Sequence, residues 1–308
     1  MRLVADHVKV IVPATAGNLG PGFDALGMAL GVFDEVDVRA LASSEVIIEI
    51  DGEGSETLAR DESHLVVRAL REALDRVGAS QVGLQIRATN RIPHGKGLGS
   101  SAAAVVAGIS AARAMIAEPE ALGEAEALRI ATAFEGHPDN AAPAIYGGAT
   151  VAWVEADGAH ASPLALFAGS ETAVLIPGST LPTKEARAVL PPQVPHTHAA
   201  FNVGRAALLV NALASRPQDL LAATEDKLHQ PYRADVMAPA VEMMRLLRDR
   251  GLAAVVSGAG PSVLVLGADL ADAGLADGAP EWAEGVGNES WACVHTVGAV
   301  PGARARRL

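Results

Sequence analysis

The stretch Pro93-His94-Gly95-Lys96-Gly97-Leu98-Gly99-Ser100-Ser101-Ala102-Ala103 constrains this chain more than any other. Its three glycines stand at alternate positions, which lets the backbone bend freely and come close to a ligand. Before it, Val82, Leu84 and Ile86 alternate with polar residues, the period of a half-buried strand. After it, Ser101 to Met115 is dense in Ala and Val and reads as a buried helix. A strand, a glycine loop and a helix in that order set unpaired helix N–H groups and the positive end of the helix dipole beside the loop, where they favour an anion. The segment is therefore read as a phosphate cradle. A P-loop needs Lys then Ser or Thr after its last glycine, and here Gly99 is followed by Ser100. A dinucleotide fingerprint needs glycine where Ser100 stands. On glycine spacing alone, an ordinary tight turn before a capped helix remains open.

At 308 residues the chain is long for one core and suits two domains of roughly 150 residues each. Aromatics are only 3% of a half-hydrophobic composition, so the core has to be built from Ala, Val, Leu and Ile. The net charge of −12 argues against nucleic acid and anionic membranes as partners. The one basic cluster, Arg304, Arg306 and Arg307, is expected to be a solvated end. With Cys293 alone no intrachain disulfide can form, which fits a cytoplasmic location, and its apolar neighbours in Trp291–Val297 make it a core residue. Met1–Val12 has no signal-peptide apolar region. Residues 251–268 carry no charge, but Gly258-Ala259-Gly260-Pro261 at their centre breaks any helix, so they are expected to form strand and turn and not a membrane span.

The first half is expected to open with a strand, Val8–Val12, stopped by Pro13, and a loop from Ala14 to Phe23. Strands follow at Glu35–Ala40 and Glu45–Ile50, then a helix from His64 to Val77 with Leu65, Ala69 and Leu74 on one face. Beyond the glycine loop and its helix come a second helix, Glu120–Glu135, a polar turn, His137-Pro138-Asp139-Asn140, and a strand at Ala149–Val154. Ala156–Ser170, mixed in Gly, Ala, Ser and Pro, is taken as the linker, giving domains of residues 1–160 and 161–308. The second half is expected to hold strands at Ala173–Pro177, Ala253–Val256 and Ser262–Leu266, and helices near His198–Leu213 and Val236–Arg250. His196 and His198 have the spacing of a metal pair but no Cys or acidic cluster beside them, so no metal is assigned there.

The loop string resembles the phosphate-binding motif of the GHMP kinases, Pro-x-x-x-Gly-Leu-Gly-Ser-Ser-Ala, at every fixed position. Two further stretches resemble that superfamily's other motifs, in order: Pro13-Ala14-Thr15-Ala16-Gly17-Asn18-Leu19-Gly20-Pro21-Gly22-Phe23-Asp24 and Ser257-Gly258-Ala259-Gly260-Pro261-Ser262. The resemblance covers the chain from about residue 8 to its last strand. Within the superfamily, Asn18–Asp24 and Glu135-Gly136-His137-Pro138-Asp139-Asn140-Ala141-Ala142-Pro143 are most similar to the homoserine kinase branch; Ala141 replaces the usual Val.

The resemblance implies an α+β fold in two domains, the first like the second domain of ribosomal protein S5 and the second ferredoxin-like. It implies a kinase that uses ATP and Mg²⁺ on the hydroxyl of a small molecule, L-homoserine, in threonine biosynthesis, and commonly a homodimer. Other readings on the same fold are a kinase for mevalonate or shikimate, and a non-catalytic metabolite sensor. It assigns Pro93 to Ala103 to ATP, with Gly95, Lys96, Gly97, Leu98, Gly99, Ser100, Ser101 and Ala102 among them, and the hydroxyl of Ser101 and the carboxylate of Glu135 to the metal, Ser100 being the alternative. Asp24 is implied at the substrate hydroxyl, with Asn18, His137, Asn140 and Thr183 as further substrate contacts. Arg187 and Arg233 match the positions that hold the substrate carboxylate, a task suited to the forked guanidinium. Asp139 matches a catalytic base elsewhere in the superfamily and is kept as secondary. His64 stands where relatives often carry Asn near the adenine, so no nucleotide role is assigned to it.

Overall fold

The structure, a computed structural model, describes residues 1–278 and 280–308. Its first half runs β1 (His7–Gly17), β2 (Leu26–Leu41), β3 (Val46–Gly52), α1 (Leu65–Arg76), β4 (Gly83–Asn90), α2 (Ser100–Met115), α3 (Glu124–Glu135), α4 (Ala141–Tyr146), β5 (Ala149–Glu155) and β6 (Gly158–Leu164). The second half runs β7 (Glu171–Pro177), α5 (Thr183–Ala188), α6 (His196–Ser215), α7 (Leu220–Ala223), α8 (Gln230–Arg233), α9 (Ala238–Asp249), β8 (Ala253–Val256), β9 (Val263–Gly267), β10 (Trp291–Val297) and β11 (Arg304–Arg307). No helix among the described residues is long and apolar enough to cross a membrane.

The strands form two sheets. The larger has the order β11-β1-β2-β4-β3, with β5 on β2 and β6 on β5; β3 and β4 are parallel and the other pairs antiparallel. The smaller is the antiparallel sheet β10-β7-β9-β8. Alternation does the work in β1, where Val8, Val10 and Val12 are withdrawn completely from solvent while Lys9 and Ile11 face outward. Behind that face lie α1 and α2, whose Leu70, Leu74, Val105 and Ile109 join the same core. A second core, with Met243, Leu247, Val265 and Trp291, fills the space between the smaller sheet and α9. Cys293 lies in it, and burial pushes its thiol up to about 12.

Pro13 does not end the first strand. The register of β1 against β2 shifts between Pro13 and Ala14, and pairing continues to Gly17. Proline cannot donate to the ladder, and a bulge absorbs the missing bond without stopping the strand. The apolar face of α1 is broader than expected: Val66, Val67, Ala69, Leu70, Ala73 and Leu74 are buried, while Leu65 is only half-buried and borders a cavity. The segment taken as a linker contains β6, which pairs with β5 along its whole length, so the division at residues 160 and 161 cuts through a strand. The arginine tail is not a free end either. It forms β11 on the edge of β1, and Arg307 donates to the carbonyls of Ala114 and Ile116 at 2.8 and 2.9 Å.

Candidate active site

Three turns from distant parts of the chain close on one another at the junction of the two sheets. Thr15 N–H donates to Leu98 O, Ser257 Oγ to Gly97 O at 2.7 Å, Gly258 N–H to Gly17 O at 3.1 Å, and Asn18 Nδ2 to Gly258 O at 2.7 Å. The glycine loop is held on one side by the Thr15 main chain and on the other by the Ser257 hydroxyl. Gly95, Gly97 and Gly99 have φ of +66°, +70° and +67°. At Gly97 a Cβ would run into Ser257 O, so both the backbone angle and the lack of a side chain are required there. Gly99 caps α2, leaving the first N–H groups of the helix open beside Ser100 and Ser101.

Two cavities meet at those serines. The first, of about 280 Å³, is walled by Val12, Val36, Leu65 and Ala88 with Asp34, Asn90, His64 and His94 at polar points. His64, to which no nucleotide role was assigned, lines it. Its Nδ1 accepts from Val66 N–H at 3.3 Å and caps α1, which places the ring proton on Nε2. Burial, and then the nearby His94, hold its pKa below the ordinary value. Asp34 is buried; desolvation raises its pKa although the N–H groups of Ile92 and Arg91 donate to Oδ1 at 2.9 and 2.6 Å. Those bonds fix the entry to the glycine loop. Neither Asp34 nor Asn90 was singled out by sequence, because neither lies in a motif.

The second cavity, of about 310 Å³, brings together Asn18, Ser100, Ser101, Glu135, His137, Asn140, Thr183, Arg187 and Arg233 around Gly95, Gly97 and Gly99. Ser101 Oγ donates to Glu135 Oε1 at 2.6 Å, joining the start of α2 to the last residue of α3. Lys96 turns away, its Nζ donating to Pro177 O at 2.8 Å, so its contact is with β7 and not with this cavity. Asp24 pairs with Arg187, and its N–H donates to Asn18 Oδ1 at 3.0 Å. Asp139 is buried under the cavity floor, where it accepts from His137 Nδ1 and from Asn18 N–H. Burial works against the charge on His137, but the bond and charge of Asp139 outweigh it and raise the pKa. Arg233 has no solvent exposure, and no carboxylate among the described residues lies within ion-pair distance of it. Burial and the neighbouring Arg187 pull its pKa down to about 10.

A glycine loop at a helix N-terminus, an apolar cavity on one side and a charged one on the other define a nucleotide-dependent phosphotransferase. The chain belongs to the GHMP kinases: the GHMP kinases N terminal domain matches residues 64–148 and the GHMP kinases C terminal domain residues 205–276. Within that family it stands with the homoserine kinases. It is 53% identical to the homoserine kinase of Streptomyces coelicolor, over 91% of this chain and 91% of that one. It is 49% identical to that of Clavibacter michiganensis, over 85% and 83%. The crystal structure of homoserine kinase from Cytophaga hutchinsonii superposes with a TM-score of 0.84 over 98% of both chains, at 27% identity.

Proposed function

We infer that this kinase transfers the γ-phosphoryl group of ATP to the side-chain hydroxyl of L-homoserine, giving ADP and O-phospho-L-homoserine. The observation that carries this is the second cavity: the guanidinium groups of Arg187 and Arg233 and the carboxylate of Glu135 line one space beside the glycine loop, and Arg187 carries Asp24 as its ion-pair partner. An amino acid with a hydroxyl presents the complementary groups. In this reading the apolar cavity takes the adenine and the N–H groups of the loop and of α2 take the phosphates.

Arg233, a buried cation without a carboxylate partner among the described residues, receives the substrate carboxylate. Arg187 takes part through the N–H groups that Asp24 leaves free, since the pair uses only one from each terminal nitrogen. Asp24 orients the hydroxyl. Its carboxylate is already engaged by the Arg187 guanidinium, so orientation is the role assigned. Asn18 holds the Asp24 backbone in place, and His137, Asn140 and Thr183 complete the walls.

Magnesium takes hard oxygen ligands and keeps several waters. Ser101 Oγ and Glu135 Oε1, already 2.6 Å apart at the loop, fit that demand, with Ser100 as the alternative hydroxyl. When bound, the ion would neutralise phosphate charge. We further propose a homodimer, to be read by light scattering. The substrate assignment is tested by ADP release across homoserine, mevalonate and shikimate with ATP and Mg²⁺; a higher kcat/KM for either of the other alcohols sinks it.

A further inference from the structure

Arg233 poses a problem of support. A charge removed from water has to be surrounded by acceptors. Its Nε donates to Ala186 O at 3.0 Å, and its Nη1 donates to His229 Nδ1 at 3.0 Å and, more weakly, to Gly258 O at 3.4 Å. Two of these acceptors are main-chain carbonyls. The third is an imidazole, which can present either a lone pair or a proton.

The surroundings of His229 decide which. The ring is fully buried, and its Nε2 lies 2.7 Å from Gly20 O. A carbonyl only accepts and an arginine only donates. The ring must therefore carry its proton on Nε2, given to Gly20 O, and keep its lone pair on Nδ1 for Arg233. The other tautomer would set an N–H against the guanidinium and a lone pair against the carbonyl. The second proton of an imidazolium would likewise point at a cation. Burial holds the pKa of His229 below its ordinary value, in keeping with a neutral ring.

Behind the ring Asp226, whose Oδ2 lies 3.6 Å from Nε2, fixes the main chain that carries it. Its carboxylate accepts from Asn202 Nδ2, and from the N–H groups of Leu228, His229 and Gln230, at 2.7–3.1 Å. On its other side Phe23 stacks on the imidazole, with centroids 5.0 Å apart and planes at 21°, and the Arg233 guanidinium lies 5.7 Å from the same ring. Gly20 and Phe23 belong to the turn that carries Asn18 and Asp24. His229 therefore joins that turn, from the first half of the chain, to the arginine of α8 in the second.

We propose that His229, neutral and protonated on Nε2, is a positioning residue that fixes the Arg233 guanidinium against the Asn18–Asp24 turn. The carboxylate-binding charge and the hydroxyl-orienting carboxylate are thereby held at one spacing. The role rests on reading the cavity as a homoserine pocket.

The test compares homoserine with 3-aminopropan-1-ol, which keeps the amine and hydroxyl but lacks the carboxylate, in His229→Leu, His229→Gln and Arg233→Ala. His229→Leu is expected to raise the homoserine KM about tenfold to a hundredfold, on the scale of a charge-assisted hydrogen bond. The KM for ATP and the use of 3-aminopropan-1-ol are expected to stay within about twofold. Gln can accept with its carbonyl and donate with its amide, so His229→Gln should recover homoserine KM to within about threefold of the parent. Equal losses on both substrates, an inert His229→Leu, or Gln and Leu behaving alike overturn the proposal. If Arg233→Ala raises the homoserine KM while His229→Leu does not, only this proposal fails; if neither does, the pocket reading fails with it. A measurement without substitution guards against misfolding: in the ¹⁵N spectrum of the unmodified protein, His229 should show a protonated Nε2 and a bare Nδ1 throughout pH 6–8. A ring that titrates there, or a protonated Nδ1, rejects the assignment.

Discussion

Arg187 grips Asp24 with both terminal nitrogens, Nη2 to Oδ1 at 2.6 Å and Nη1 to Oδ2 at 3.3 Å, across 163 residues of sequence. The residue proposed to orient the hydroxyl and one of those proposed to hold the carboxylate are thus each other's partner. Both side chains are about a third exposed, so solvent weakens the pair, but neither can change without releasing the other.

Their substitutions should therefore not add. In a cycle of Asp24→Asn, Arg187→Ala and the double variant, kcat/KM for homoserine should depart from additivity by about 0.5–3 kcal/mol, or roughly twofold to over a hundredfold. Strict additivity would mean that the two act independently.

Glu135→Ala should lower kcat by about a hundredfold or more, since a lost metal ligand removes several kcal/mol of charge stabilisation. It should also raise the Mg²⁺ concentration needed for half-maximal rate, while the KM for homoserine changes little. A Mg²⁺ titration of ADP release decides this; parent-like activity at low Mg²⁺ rejects the ligand role.

His137 and Asp139 predict a pH dependence of stability. The pKa of His137 is raised in the folded chain from an ordinary 6.5. The stabilisation from its protonated form is complete below that unfolded value and disappears as pH rises through the higher folded one. The melting temperature should therefore fall across this window, and Asp139→Asn, which removes the partner, should flatten that fall. Thermal melts of both proteins from pH 5.5 to 9 measure it, and parallel profiles would contradict it.

Gly97→Ala should be far more damaging than a typical surface change. The positive φ alone costs about 1–2 kcal/mol for an L-residue, and the clash with Ser257 O adds to it. The melting temperature should drop and the KM for ATP rise together, because the same backbone holds the loop and the turn at Ser257. Unchanged melting and ATP use would show that the loop can give way.

Much of the site was legible in sequence because it is local. The glycine loop, the start of α2 and the Glu135–Asn140 turn are contiguous strings whose residue types already state their chemistry. Helices α1 and α2 announced themselves by period and composition. Arg187 and Arg233, by contrast, stand out only through resemblance, since an isolated arginine looks like any surface charge. What escaped is what depends on the fold closing: Asp34 fastening the loop entry, His64 on the cavity wall, and His229 reaching Gly20 across 209 residues. Strands β6 and β11 escaped for a related reason. Edge strands with exposed, polar residues lack the alternation that marks a buried one, and their partners alone define them.

The return of β11 to β1 also has a temporal meaning. Leu308 N–H donates to His7 O, so the pairing of β11 with β1 runs on to the opening residue of β1. During synthesis the opening strands emerge long before this partner exists, and until then β1 offers a bare edge to any neighbouring nascent chain. A chain without β11 would keep every residue of its phosphate loop and cavities and still leave that edge open.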